Sequence, residues 1–71
     1  MEEWAMVLTL LRKNPEGIPV TKIVDAIYPD NPRMERKRAY RRIKTRCETA
    51  SRNGKMERLE MVYGLGYRLV R

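Results

Sequence analysis

The hydrophobic period of this chain changes once, and that change restricts its fold class more than any other feature. Up to Arg52 the apolar residues recur at helical spacing. From Glu57 to Arg71 they alternate with polar ones, in Arg58-Leu59-Glu60-Met61 and again in Tyr67-Arg68-Leu69. Repeats at i, i+3, i+4 and i+7 line one face of a helix, whereas strict alternation lines one face of a strand. The pattern predicts helices first and a β-hairpin last, an α+β arrangement. Gly64-Leu65-Gly66 lies between the alternating runs, where glycine supplies the positive φ of a tight turn. Leu59, Met61, Tyr67 and Leu69 are expected on the inner face of the hairpin, with Arg58, Glu60 and Arg68 outside.

Prolines divide the helical part into three. Trp4, Val7, Leu8 and Leu11 form one stripe and predict a first helix over Glu2 to Asn14. Glu2 and Glu3 suit its positive N-terminal end, and Arg12 and Lys13 the other. Pro15 disfavours helical geometry at Asn14 and ends it. Ile18-Pro19-Val20 reads as a short extended piece able to serve as an edge strand, where proline is tolerated. Thr21 is then the expected N-cap of a second helix, Lys22 to Tyr28, burying Ile23, Val24 and Ile27. Pro29-Asp30-Asn31-Pro32 closes it. A third helix follows from Arg33 or Met34 to Arg52, stopped by Asn53-Gly54. On a helical wheel, Ala39, Tyr40, Ile43, Cys47 and Ala50 share one side. Arg38, Arg41, Thr45, Glu48 and Arg52 take the other, with Lys37 and Arg42 at its shoulders.

With 71 residues the chain makes one domain, 1–71. A core this small gives a net stability of only a few kcal/mol. Cys47 is the single cysteine and there is no histidine, which excludes an internal disulfide and a Cys/His metal site. A lone thiol on the apolar stripe is expected to be buried, and it suits a reducing cytosol. Nothing assembles a catalytic pair, so neither an enzyme nor a cofactor is expected. No apolar run approaches the roughly 20 residues that a bilayer demands, and the acidic Glu2-Glu3 does not fit a signal peptide.

The charge points to the partner. The net charge is +7, and all of it comes from Arg33 to Arg52, where nine basic residues face only Glu35 and Glu48. Such a concentration costs self-repulsion, which a polyanion removes. Double-stranded DNA is the expected partner.

Order and wording together resemble a known family. Val62-Tyr63-Gly64-Leu65-Gly66-Tyr67-Arg68-Leu69 resembles the wing of the OmpR/PhoB-type effector domains of bacterial response regulators. Glu3-Trp4 through Leu11 resembles their first helix, Val20 to Ile27 their second, and the arginine-rich stretch their recognition helix. The likeness covers about Glu2 to Val70. It implies a winged helix-turn-helix: three helices, a short strand and a C-terminal hairpin wing at 57–71, with helix 34–52 in the major groove. The four-stranded sheet that precedes the first helix in that family has no counterpart here, and neither does a receiver domain. Asn53 to Glu57 is a shorter connection than usual. Tyr63 stands where many members place an arginine for the minor groove.

On this basis Arg38, Arg41, Arg42 and Thr45 are expected to read bases or straddle nearby phosphates. Lys37, Lys44, Arg46 and Arg52 are expected on phosphates. Lys55, Tyr63 and Arg68 are candidate wing contacts. The loop Pro29 to Arg33 corresponds to one that can touch RNA polymerase in the family, although its prolines also suffice to set an interhelical angle. Trp4, Met6 and Leu10 form a candidate homodimer patch. A small transcription regulator is the leading expectation, of a size that suits a phage or plasmid gene. An architectural, excisionase-like DNA-bending protein and a winged module that binds a polymerase or another protein are the alternatives.

Overall fold

The computed structural model describes residues 2–53 and 57–70. Three helices, α1 (Glu3–Lys13), α2 (Val20–Ile27) and α3 (Arg33–Asn53), precede a two-stranded sheet of β1 (Leu59–Val62) and β2 (Gly66–Leu69). The strands are antiparallel, with Leu59 opposite Leu69 and Met61 opposite Tyr67. The chain is a small α+β domain of three helices and a hairpin. Among the described residues no helix is long and apolar enough to cross a membrane.

The stripe on α1 is buried as its spacing predicts, through Val7, Leu8 and Leu11. Asn14 finishes the helix: its backbone N–H donates to the Leu11 carbonyl at 3.2 Å and its side-chain amide to the Leu10 carbonyl at 2.7 Å. These bonds satisfy carbonyls that would otherwise be orphaned at a helix end.

The next segment departs from expectation. Only Ile18 pairs as a strand, exchanging two backbone bonds with Tyr67 at 2.9 and 3.0 Å. Helix α2 begins at Val20, two residues earlier than the sequence suggested, and Pro19 is its N-cap in place of Thr21. The Pro19 carbonyl receives the N–H groups of Lys22 and Ile23 at 3.0 and 3.2 Å. An early start adds Val20 to Ile23 and Val24 on the buried side of α2. That burial outweighs the modest advantage of a threonine cap.

Helix α3 buries Ala39, Ile43 and Cys47 and half-buries Tyr40 and Ala50, the side its wheel predicts. Ile18, Leu59 and Tyr67 close the core from the hairpin side. No polar or charged residue among those described is buried.

The hairpin turns at Val62–Leu65, where the Leu65 N–H donates to the Val62 carbonyl at 3.0 Å. Gly64 holds φ +81° at the third turn position, as a type II turn requires. Gly66 has a different reason to lack a side chain: a Cβ there would collide with the Ile18 carbonyl and the Pro19 Cα. It lets the lead-in to α2 cross directly over β2. Leu59, Tyr67 and Leu69 pack inward as expected, but Met61 is 70% exposed. Alternation gives Met61 the face of Leu59, but at its level the cover lies over β2, where Ile18 bridges to the buried Tyr67, and Met61 on the outer strand β1 is left open.

Candidate nucleic-acid interface

Helix α3 brings nine cations into the fold, and the fold distributes them by direction. Three turned toward other elements, Arg36, Arg42 and Arg46, are paired with carboxylates there, and Arg52 pairs within α3 itself. Arg42 grips the Glu3 carboxylate of α1 with two bonds, Nε to Oε1 at 2.8 Å and Nη2 to Oε2 at 2.5 Å. The Tyr28 hydroxyl donates to the same carboxylate. The Arg42 bonds are the main reason that the Glu3 pKa lies below its ordinary value, and the hydrogen bond to Glu3 pushes that of Tyr28 up. Arg46 lies 4.0 Å from Glu2 and stacks its guanidinium 4.5 Å from the centre of the Trp4 ring. Arg36 pairs with Asp25 of α2, and Arg52 reaches Glu48 one turn back at 3.6 Å.

The remaining five behave differently. Arg33, Lys37, Arg38, Arg41 and Lys44 are exposed, and none makes an ion pair within the described residues. Arg33, Lys37, Arg38 and Arg41 surround the exposed Met34 in one shallow depression. Lys44 continues this face toward the hairpin, with its ammonium 5.9 Å from the Tyr40 ring centre. Thr45 is exposed one turn beyond Arg41. Arg33 and Lys37 also stand at the positive end of the α3 dipole, where a cation is disfavoured and an anion welcome.

The structure thus keeps Lys37, Arg38, Arg41, Lys44 and Thr45 together and adds Arg33 and Met34, which sequence reasoning did not single out. Their signal was present: Arg33 and Lys37 are four residues apart, as are Met34 and Arg38, and such residues are neighbours on a helix surface. Arg42 and Arg46 are drawn aside to α1, so neither belongs to the open face. Arg52 is engaged by Glu48. Lys55 falls outside the described residues. Tyr63 is 99% exposed at the hairpin tip. Arg68 pairs with Glu60 across the strands, on the opposite face of the hairpin from Tyr67.

Two other surfaces named from the sequence have local contacts of their own. In the loop before α3, the Asn31 amide donates to Glu35 at 3.1 Å and the Pro32 carbonyl accepts from Arg36 at 3.1 Å, so this segment is occupied in starting the helix. Trp4, Met6 and Leu10 are each partly buried. Cys47 is buried in the core, and loss of hydration pushes its thiol up to about 11. Among the described residues no cluster of potential metal ligands exists.

Comparison with protein-family models, curated proteins and solved structures finds no match for the chain.

Proposed function

We propose that this chain is a winged-helix protein that binds double-stranded DNA, with α3 in the major groove and the hairpin as the wing. The sorting of charge on α3 carries this reading: the three cations that meet another element are neutralised, Arg52 pairs with Glu48 on its own helix, and five on the solvent face make no ion pair among the described residues. A domain of this size has little stability to sacrifice to self-repulsion. A duplex provides both the opposite charge and a groove wide enough for a helix.

On that footing Arg38, Arg41 and Thr45, on the crest of the helix, are the base readers. An arginine there can bond guanine O6 and N7 together, and Met34 can lie against a thymine methyl. Arg33, Lys37 and Lys44, along one shoulder, take phosphates. The order of elements and the Ile18 bridge onto β2 are what a helix-turn-helix with an attached wing displays. Control of transcription is the role proposed, in line with the resemblance to OmpR/PhoB-type effector domains.

Titration of random-sequence duplex across a salt series tests the proposal. Three neutralised phosphates give a slope of log K against log[salt] of about −2.7, or about a 40-fold loss of affinity between 50 and 200 mM salt. A flat response overturns it. Footprinting on the DNA upstream of the gene then tests the regulatory role, for which a short protected site is expected.

A further inference from the structure

We propose that the outer edge of β1 is a self-pairing surface, through which two copies of this chain join their hairpins about a two-fold axis at Met61. This contact needs no DNA and does not use Trp4, Met6 or Leu10 of α1. Ile18 and Tyr67 exchange two backbone bonds at 2.9 and 3.0 Å, so the N–H and C=O of Tyr67 point away from β1. Met61 stands opposite Tyr67, and residues facing each other in an antiparallel pair direct these groups either both inward or both outward. The N–H and C=O of Met61 therefore leave the outer edge of β1, where they have no backbone partner among the described residues. The bond from the Val70 N–H to the Arg58 carbonyl, at 2.9 Å, follows the same alternation, in which Arg58, Glu60 and Val62 turn inward to β2.

Proteins blunt an open strand edge with charged side chains or proline. This edge has neither beyond Glu60. From Met61 to Tyr67 the chain carries no charge, in a protein that is 35% charged. Glu60 itself is engaged by Arg68 across the hairpin. Met61 is 70% exposed and Tyr63 is 99% exposed. A second copy presents the same open edge, and two like edges satisfy each other when they meet antiparallel, as a two-fold interface requires. Burial and charge select the register. Leu59 is 1% exposed, so a strand cannot pair at its edge. Leu59 opposite Met61 would also set Glu60 on Glu60, and like charges directly opposite are destabilising. Met61 opposite Met61 places Glu60 against Val62 and Arg58 against Gly64, so no like charges face each other. It closes two backbone bonds and sets two exposed methionines side by side. Because Leu59 is covered, the pairing stays short, and the +7 of each copy opposes it. The dimer is therefore weak, and salt strengthens it by screening that repulsion.

Sedimentation of the full chain from about 10 μM to about 1 mM, in about 0.5 M salt to screen the repulsion, provides the test. The wild type is expected to rise toward the dimer mass with concentration. Met61→Pro removes an N–H that points off the edge and leaves the ladder to β2 whole, the one place in a hairpin where proline is tolerated. It should keep the wild-type Tm and weaken association about tenfold or more, through the loss of both bridging bonds. Met61→Cys should be trapped as a disulfide dimer on air oxidation, because bonded partners in an antiparallel pair have Cα atoms about 5.5 Å apart, within disulfide range. Cys47 is buried and should form no crosslink of its own. Leu65→Cys, off the pairing register, should crosslink far less. A wild type that stays monomeric throughout would overturn the proposal. So would a dimer that Met61→Pro leaves intact at an unchanged Tm, which would move the contact to another face. If Met61→Pro lowers the Tm, the cysteine variants decide, and equal crosslinking of Met61→Cys and Leu65→Cys counts against the pairing. No DNA enters these measurements, so their outcome is independent of the proposed function.

Discussion

Two faces of α3 carry the same residue type and do different work. Toward α1, Arg42 and Arg46 meet Glu3, Glu2 and the Trp4 ring and pin two helices together. Toward solvent, Arg38 and Arg41 meet no acidic group among the described residues. Charge alone does not separate them, since all four are arginines within nine positions of one helix. What separates them is whether the neighbouring element brings a carboxylate. An arginine's role in a small basic domain is therefore decided by the acidic residues of other helices.

The buried third face of α3 gives the largest effect and sets the baseline for the other two. Ile43 is 1% exposed. Ile43→Asp should unfold the domain, since an unpaired buried carboxylate costs several kcal/mol against a net stability of similar size. Circular dichroism showing a folded variant at 25 °C would break the assignment of faces at its root. On the solvent face, joint replacement of Arg38 and Arg41 by alanine should lower duplex affinity about 100-fold, from about 1–3 kcal/mol per base-reading arginine. The melting temperature should stay within about 2 °C, because both side chains are exposed and make no ion pair among the described residues. Arg41→Ala alone should give part of that loss; unchanged affinity would mean that the wrong face has been assigned.

On the α1 face the signs reverse. Arg42→Ala should leave affinity within about twofold and lower stability by up to about 1 kcal/mol, a modest figure because Arg42 is half exposed and solvent screens the pair. This corresponds to a fall of a few degrees in Tm. A large loss of DNA binding in Arg42→Ala with an unchanged Tm would merge the two faces into one.

The same clamp predicts a pH dependence. The folded Glu3 pKa lies below its ordinary value of 4.5, chiefly through Arg42. Its stabilising contribution is therefore fully present above the unfolded value and is lost as pH falls through the folded one. Melting curves of the wild type and Glu3→Gln should differ at about pH 6 and converge toward about pH 3. A constant gap would show that the contact is not ionic. The smallest effect is a kinetic silence. With its thiol raised to about 11, Cys47 should not react with a disulfide reagent at about pH 8 until denaturant is added.

Much of the fold was legible in advance, because it depends on period and punctuation. The stripe on α1, the buried side of α3, the stop at Asn14 and the glycine turn of the hairpin are all short-range consequences of residue order. The start of α2 was not legible, since Thr21 is the better local cap and only the room for Val20 in the core favours Pro19. Met61 was misplaced for a similar reason: alternation tells which face a residue takes and not how far the core extends beneath it. For the candidate site, the wheel located Arg38, Arg41 and Thr45 on the exposed side and Arg42 at its shoulder, but it could not show that Glu3 engages Arg42.

The sequence by itself determined that three helices precede a hairpin and that the whole excess of positive charge lies on the last helix. Both follow from spacing along the chain, which local geometry turns directly into faces. Only the tertiary structure decided which arginines stay open. Glu3 and Arg42 are 39 residues apart, and their bond exists because the fold brings the start of α1 within reach of the middle of α3. A wheel gives the angle at which a side chain leaves its helix; the partner waiting at that angle is a property of packing.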